Sequence, residues 1–299
     1  MRLLNELADQ LATQTPGGYS AVGAAASEPT ALAGLALLAD GRLHAAKLAA
    51  DWLVDRQADD GSVSVGSAQS SPCWPTSLAL LVWQTVQSAD QSNLYAGPID
   101  RALDWAIQDT GRTHARRDWV GHDTLLVGWS WAANTHSWLE PTAMFVLALK
   151  AAGAADHRRT REAVTLLVDR LLPAGGCNYG NTIVLGQTLL PHVQPTGLVM
   201  MALADEELDD PRIERSLAYL GRELSAETTT TSLCYGLLGL AAFGRTPPDR
   251  AAWLEAAYQR ELKRGVSTYK LALLALAASD RNPFDVKGNL TQRREGAKQ

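Results

Sequence analysis

The sequence predicts an all-α chain folded as an (α/α)6 toroid with long loops on one end, and three observations predict it. Six apolar runs of helix length open at a Pro-Thr or small polar element, an amphipathic segment precedes each run, and the long connections all enter the apolar runs. A helix that is apolar all round must be buried on every side, whereas one with a single apolar stripe keeps a wet face. Six of each therefore suggest an inner ring enclosed by an outer ring. An open solenoid also stacks helix pairs, but it exposes one face of every helix.

In chain order, an amphipathic segment at 3–11 leads to the run opening at Glu28-Pro29-Thr30, and 43–56 leads to Trp74-Pro75-Thr76. Segment 99–108 then leads to Glu140-Pro141-Thr142, 159–172 to Gln194-Pro195-Thr196, 212–224 to Thr230-Thr231-Ser232, and 250–262 to Ser267-Thr268. Proline is tolerated early in a helix because the N–H it lacks would have no intrahelical partner, and a nearby Thr or Ser satisfies another orphan donor. Within 212–224, Ile213, Leu217, Leu220 and Leu224 recur at three- and four-residue steps while Arg212, Glu214, Arg215 and Glu223 fall elsewhere, which marks one buried stripe.

Bulk properties agree with a compact chain. Of 299 residues 46% are hydrophobic and 20% charged, enough apolar material for one toroid domain over 1–280 with a tail at 281–299. No apolar run reaches the roughly 18 residues of a membrane span, and the first residues lack the apolar core of a secretory signal, so the expectation is a cytoplasmic protein. A net charge of -5 argues against nucleic-acid or anionic-membrane partners, although the tail is locally basic. Cys73, Cys177 and Cys234 have no paired spacing and are expected as free thiols.

The long connections, 14–27, 58–73, 110–139 and 173–193, all enter at N-terminal ends of the apolar helices, whereas the return connections are short. Long ordered loops carry function. The mouth they build gathers the positive ends of up to six helix dipoles, which favours an anionic group above an apolar cavity.

The chain resembles the terpenoid cyclase and protein prenyltransferase superfamily, in its branch of prenyltransferase and squalene-oxidase repeat proteins. Three segments carry the resemblance: Trp52-Leu53-Val54-Asp55-Arg56-Gln57-Ala58-Asp59-Asp60-Gly61, Gly175-Gly176-Cys177-Asn178-Tyr179-Gly180, and Asn134-Thr135-His136-Ser137-Trp138-Leu139-Glu140-Pro141-Thr142. The first is similar to a QW repeat, with Val63 where that repeat has Trp; Cys177 takes the same place in the second. The resemblance implies a toroid and an isoprenoid or similar hydrophobic substrate. Neither of its standard chemistries carries over, because the chain has no Asp-x-Asp-Asp acid motif, and Gly175, Ser71 and Ser232 stand where an Asp-x-Cys zinc pair needs Asp.

The expectation is thus a terpene-cyclase-like enzyme performing cyclisation or isomerisation in a central apolar cavity with a non-standard acid. The alternative is a non-catalytic lipid- or protein-binding scaffold. Rim carboxylates are Glu28, Glu140, Asp118 and Asp123; Glu140, Asp123 and His136 are the catalytic candidates. The helix dipole should lower the pKa of Glu140, suiting it to a base, a cap or a cation stabiliser, and Glu28 shares its context. Aromatic faces stabilise carbocations, so Trp119, Trp129, Trp131 and Trp138 are wall candidates, as are Trp83, Phe145, Tyr235 and Tyr269 on apolar helices; packing of loop and core is the competing role. Tyr179, His192, Cys177 and Met200 complete the substrate-binding set. No cofactor is expected; His122, Asp123, His136, Cys177 and His192 could converge on zinc or iron, but no His-x3-His or Cys-x2-Cys pair supports it. Cys177 with His192 could also form a nucleophilic pair, against the reading of Cys177 as a buried packing residue. Hydrolytic or lyase chemistry on a polymer is a third option; it needs a long open groove with paired carboxylates, and the carboxylates here are not paired within the chain.

Overall fold

The computed structural model describes residues 2–66, 68–117, 119–281, 283 and 284. Asp118 and most of the expected tail at 281–299 lie outside the described residues.

Twelve α-helices carry the described chain: α1 (Arg2–Gln14), α2 (Ser27–Ala39), α3 (Leu43–Val54), α4 (Thr76–Asp90), α5 (Ala96–Gln108), α6 (Leu139–Ala151), α7 (Arg158–Asp169), α8 (Val193–Leu203), α9 (Pro211–Glu223), α10 (Thr230–Ala242), α11 (Arg250–Leu262) and α12 (Thr268–Ala278). A two-residue hairpin, β1 (Ile183–Val184) with β2 (Gln187–Thr188), sits in the loop before α8. The even-numbered helices pack each against the next from α2 to α12, and α12 packs back against α2. That closes the ring. The odd-numbered helices lie outside: α3 against α2 and α4, α7 against α6 and α8, α9 against α8 and α10, α11 against α10 and α12, and α1 against α12 and α2.

Sequence pattern decides the layer. In α2, α6 and α8 nearly every residue is buried, whereas in α9 only Ser216, Leu217, Tyr219 and Leu220 are. The inner helices touch most closely where glycine removes a side chain. A Cβ on Gly197 would come 2.2 Å from the Tyr235 carbonyl oxygen, and one on Gly239 would come 2.7 Å from that of Gly197, so α8 and α10 meet backbone to backbone.

The Pro-Thr elements have a role beyond helix starts. Each threonine hydroxyl accepts the N–H of a residue in the incoming loop: Gly17 to Thr30 (3.3 Å), Val63 to Thr76 (2.8 Å), Trp129 to Thr142 (3.0 Å) and Cys177 to Thr196 (3.0 Å). Three of these spans are 13 residues and the fourth is 19. One repeated hydrogen bond therefore lashes all four long loops to the inner ring. The loops are also joined to each other around the mouth. Ser27 N–H donates to the Val65 carbonyl (2.9 Å), Trp74 meets Trp131 edge-on at 4.7 Å, Leu139 N–H donates to Tyr179 (3.0 Å), and Tyr269 N–H donates to Gly18 (3.3 Å).

The ring is narrow amid its inner helices. The void bounded by Leu32, Leu78, Leu81, Met144, Leu147, Leu198, Tyr235 and Phe284 measures about 10 Å³, room for no more than about one water. Among the described residues the expected central apolar cavity is reduced at this level to that void, and a wider cavity of about 470 Å³, lined by Leu147, Met201, Leu237, Leu276 and Phe284, lies toward the C-terminal ends of α6, α8, α10 and α12.

Candidate active site

The inner helices α2, α6 and α8 begin alike, with Ser27-Glu28-Pro29, Leu139-Glu140-Pro141 and Val193-Gln194-Pro195. Glu28, Glu140 and Gln194 are thus second residues of their helices, where side chains lean toward the N-terminus and so toward the mouth. Both glutamates are buried, at 6% and 4% exposure. The Tyr19 hydroxyl donates to Glu28 Oε2 (2.5 Å), and Gln194 Nε2 donates to Glu140 Oε1 (2.8 Å). Neither carboxyl has a capping role: the N-cap positions of α2 and α6 are Ala26 and Trp138.

Burial pushes the Glu140 pKa up to about 7 against the opposing amide donor. Glu28 is also pushed up to about 7, by burial first, with the Tyr19 hydroxyl opposing and the charge of Glu140 adding to the rise. The lowering expected from the helix dipole does not occur. A dipole contributes at most about 2 kcal/mol, while the shift from 4.5 to about 7 corresponds to about 3 kcal/mol against the charged form. Desolvation wins.

Phenols surround the pair. The Tyr19 and Tyr269 rings lie 5.3 Å apart, and burial followed by the charge of Glu28 raises the pKa of both. The Tyr235 hydroxyl is buried beside that of Tyr269; its pKa is raised by burial, then by Tyr269, Glu28 and Glu140. Tyr179, raised by burial and then by Glu140, is partly exposed, as is Tyr19. The carboxyls therefore lie just beneath a rim that solvent reaches.

The other expected site residues scatter. Asp123 is bound by Arg116, whose Nε donates at 3.0 Å, and its pKa is lowered chiefly by that bond; Glu140 and Asp123 are not brought together as an acid and base. His136 stacks on Trp138 at 4.4 Å between ring centroids, and Trp119 is exposed; both line a separate cavity. Trp83 and Trp129 are structural, their indole N–H groups donating to Ala50 and Ala106 of the outer helices (3.0 Å each). Phe145 stacks on Trp129 at 4.8 Å, and Met200 is core. Trp131 packs on Trp74. Of the wall candidates, Tyr179, Tyr235 and Tyr269 surround the carboxyl pair, and His192 backs Tyr179 at 5.1 Å.

Cys177 is fully buried, its thiol pushed up to about 12 by burial, and its neighbour is the Thr196 hydroxyl at 3.7 Å. A thiol so protonated is no nucleophile at neutral pH, so the Cys177–His192 pair is corrected to a packing residue beside a rim imidazole. Among the described residues no three His, Cys, Asp or Glu side chains converge as metal ligands.

No protein-family model matches the chain, and no curated protein matches its sequence. Solved structures do match in shape. A wild-type glycosidase aligns at TM-score 0.56 with 13% identity, covering 96% of this chain and 98% of its own. A glycosidase variant with one glutamate replaced by alanine, in complex with glucose, aligns at the same TM-score and identity. A protein from Actinoplanes aligns at TM-score 0.55 with 13% identity, over 97% and 99% of the two chains. These likenesses establish the helical toroid. They also correct the expected activity: the similar structures whose names give an activity are glycosidases. The cyclase, isomerase and lyase readings, and the lipid- or protein-binding scaffold, are set aside.

Sequence reasoning missed Tyr19 and Gln194, and it left Glu28 without a role. The signal was present in the shared Glu-Pro-Thr and Gln-Pro-Thr elements, which mark structurally equivalent positions around the mouth. No helix of the described chain is long and apolar enough to cross a membrane.

Proposed function

We propose that this chain hydrolyses glycosidic bonds with Glu28 and Glu140 as its acid and base. One observation carries the reading: two buried carboxyls at equivalent helix starts, each poised at about 7, with the charge of one raising the other. Coupled in this way, the pair holds on the order of one proton near neutrality. That is the state glycoside hydrolysis requires. The protonated carboxyl gives its proton to the departing glycosidic oxygen, and the ionised one activates the water or attacks the anomeric carbon. Glu28 is assigned as the acid because it bears the repulsion of Glu140; Gln194 orients Glu140 as the base. Tyr19 and Tyr179 offer exposed aromatic surface on which a sugar ring can stack, and the reaction draws on water alone. The glycosidase names of the similar structures, one in complex with glucose, support the same substrate class. Kinship with the cyclase superfamily rests on the turn at Gln57, whose side chain donates to Gly61 (3.1 Å) and Pro98 (2.8 Å) as a QW-type glutamine would.

The test is hydrolysis of a panel of α- and β-linked aryl glycosides. The wild-type chain should release the aryl group with a bell-shaped pH profile about neutrality, and Glu28→Gln and Glu140→Gln should each reduce kcat by roughly 10²- to 10⁴-fold. Absence of turnover on every glycoside, together with no calorimetric binding of glucose or short glucosides, would remove the proposal.

A further inference from the structure

A separate cavity of about 420 Å³ opens between the loop 110–139 and the hairpin β1–β2. Its described lining includes Arg112, Arg117, Arg170, His122 and His136 and contains no Asp or Glu. Such one-signed lining is unusual in a chain of net charge -5 and needs a physical account.

The acids behind this wall are already engaged. Asp123 is held by Arg116, and Asp169 by Arg170 (3.1 Å). Arg170 is itself buried and committed, since its remaining donors reach the carbonyls of Gly180 (2.6 Å) and Asp123 (3.0 Å). Arg112 and Arg117 differ. Both are exposed, and among the described residues neither guanidinium has a carboxylate or carbonyl partner; that of Arg117 lies 5.2 Å over the Trp119 ring. Trp119 is 66% exposed beside Leu185 at 97%, so an aromatic face and an apolar tip flank the two uncommitted cations. His136 Nε2 is sealed from solvent without a hydrogen-bond partner. Burial and the Arg170 charge hold His122 down to about 4 and lower His136. These two imidazoles are therefore neutral near pH 7, and Arg112, Arg117 and Arg170 bring positive charge to the cavity.

We infer that this cavity is a binding site for an oxyanion carried on a flat ring, with Arg112 and Arg117 gripping the carboxylate or phosphate and Trp119 stacking on the ring. A guanidinium forks onto two oxyanion oxygens, and an indole face adds stacking and excludes water from the pair. Nothing in this inference depends on the carboxyl pair.

Calorimetry on the full chain with benzoate, phenyl phosphate, inorganic phosphate and benzyl alcohol tests it. Saturable binding of benzoate or phenyl phosphate is expected, at least about tenfold tighter than benzyl alcohol and weakened by added salt. The tighter of the two identifies the oxyanion. The double variant Arg112→Ala with Arg117→Ala should weaken it by about tenfold or more, and Trp119→Ala should weaken phenyl phosphate but not inorganic phosphate. These positions are exposed, so circular dichroism should show an unaltered fold. No saturable binding, equal binding of benzyl alcohol, or full affinity in the double variant would each overturn the inference.

Discussion

In the proposed function Glu140 and Glu28 hold the chemistry, and their burial works against stability. Each has a folded pKa of about 7 against 4.5 unperturbed, so the folded state binds protons more tightly than the unfolded one. For a raised carboxyl the contribution to stability is full below 4.5 and is lost as pH rises through about 7. Replacing Glu140 by Gln removes that loss and keeps a polar partner for Gln194. Chemical denaturation should find Glu140→Gln more stable than wild type by up to roughly 3 kcal/mol above the folded pKa, with the advantage vanishing in acid. An advantage that is the same at both ends of the pH range would mean the carboxyl is not the titrating group. A chain that retains two such residues trades stability for function. The residue identities were legible in the sequence, but the sign of the pKa change was not. A helix-start carboxylate read alone predicts stabilised charge, and only the packing around it sets the opposing desolvation.

At the scale of elements, the Pro-Thr starts combine two jobs. Proline opens the helix, and threonine receives the loop that arrives there. Thr142→Val preserves shape while leaving the buried Trp129 N–H unpaired, so a loss of about 1–3 kcal/mol is expected in thermal or denaturant melts. Thr135, exposed and with its hydroxyl bonded only to the Ala132 carbonyl of its own turn, is the control and should tolerate Val within about 0.5 kcal/mol. Equal effects at both sites would deny the threonines their anchoring role. Helix type and order followed directly from the apolar period. The anchoring did not, because a hydroxyl near a helix start predicts a local cap, whereas the partner here lies 13 residues upstream. The tryptophans were ambiguous for a related reason. Trp129, which the Thr142 bond holds in the third loop as Val63 and Cys177 are held in the second and fourth, turns its indole toward Ala106 and not toward a ligand.

Among the described residues the whole molecule is a closed ring, narrow where Leu32, Leu78, Leu81 and Leu198 meet. A void of about 10 Å³ leaves no space for even a short hydrocarbon, so a fifteen-carbon prenyl alcohol should produce no thermal shift at concentrations that avoid aggregation. A clear stabilisation would show that the core opens and would revive an apolar guest. Closure joins the first helix to the last two. Tyr258 on α11 donates to Glu6 Oε1 (2.8 Å) and accepts from Gln10 on α1 (2.5 Å), while Thr268 on α12 donates to the Gln14 carbonyl (3.3 Å). With the ring shut, loops from four quarters of the chain meet at the mouth.

By itself, the sequence determined the twelve rods, their two layers and the end that carries the long loops, because hydrophobic period and connection length are local properties written along the chain. Tertiary structure alone decided how narrow the ring is amid Leu32, Leu78 and Leu198, that Glu28 and Glu140 share a field, and that burial overrides the helix dipole. Those outcomes depend on distances between segments more than a hundred residues apart and on the water that packing removes, neither of which any local stretch of residues encodes.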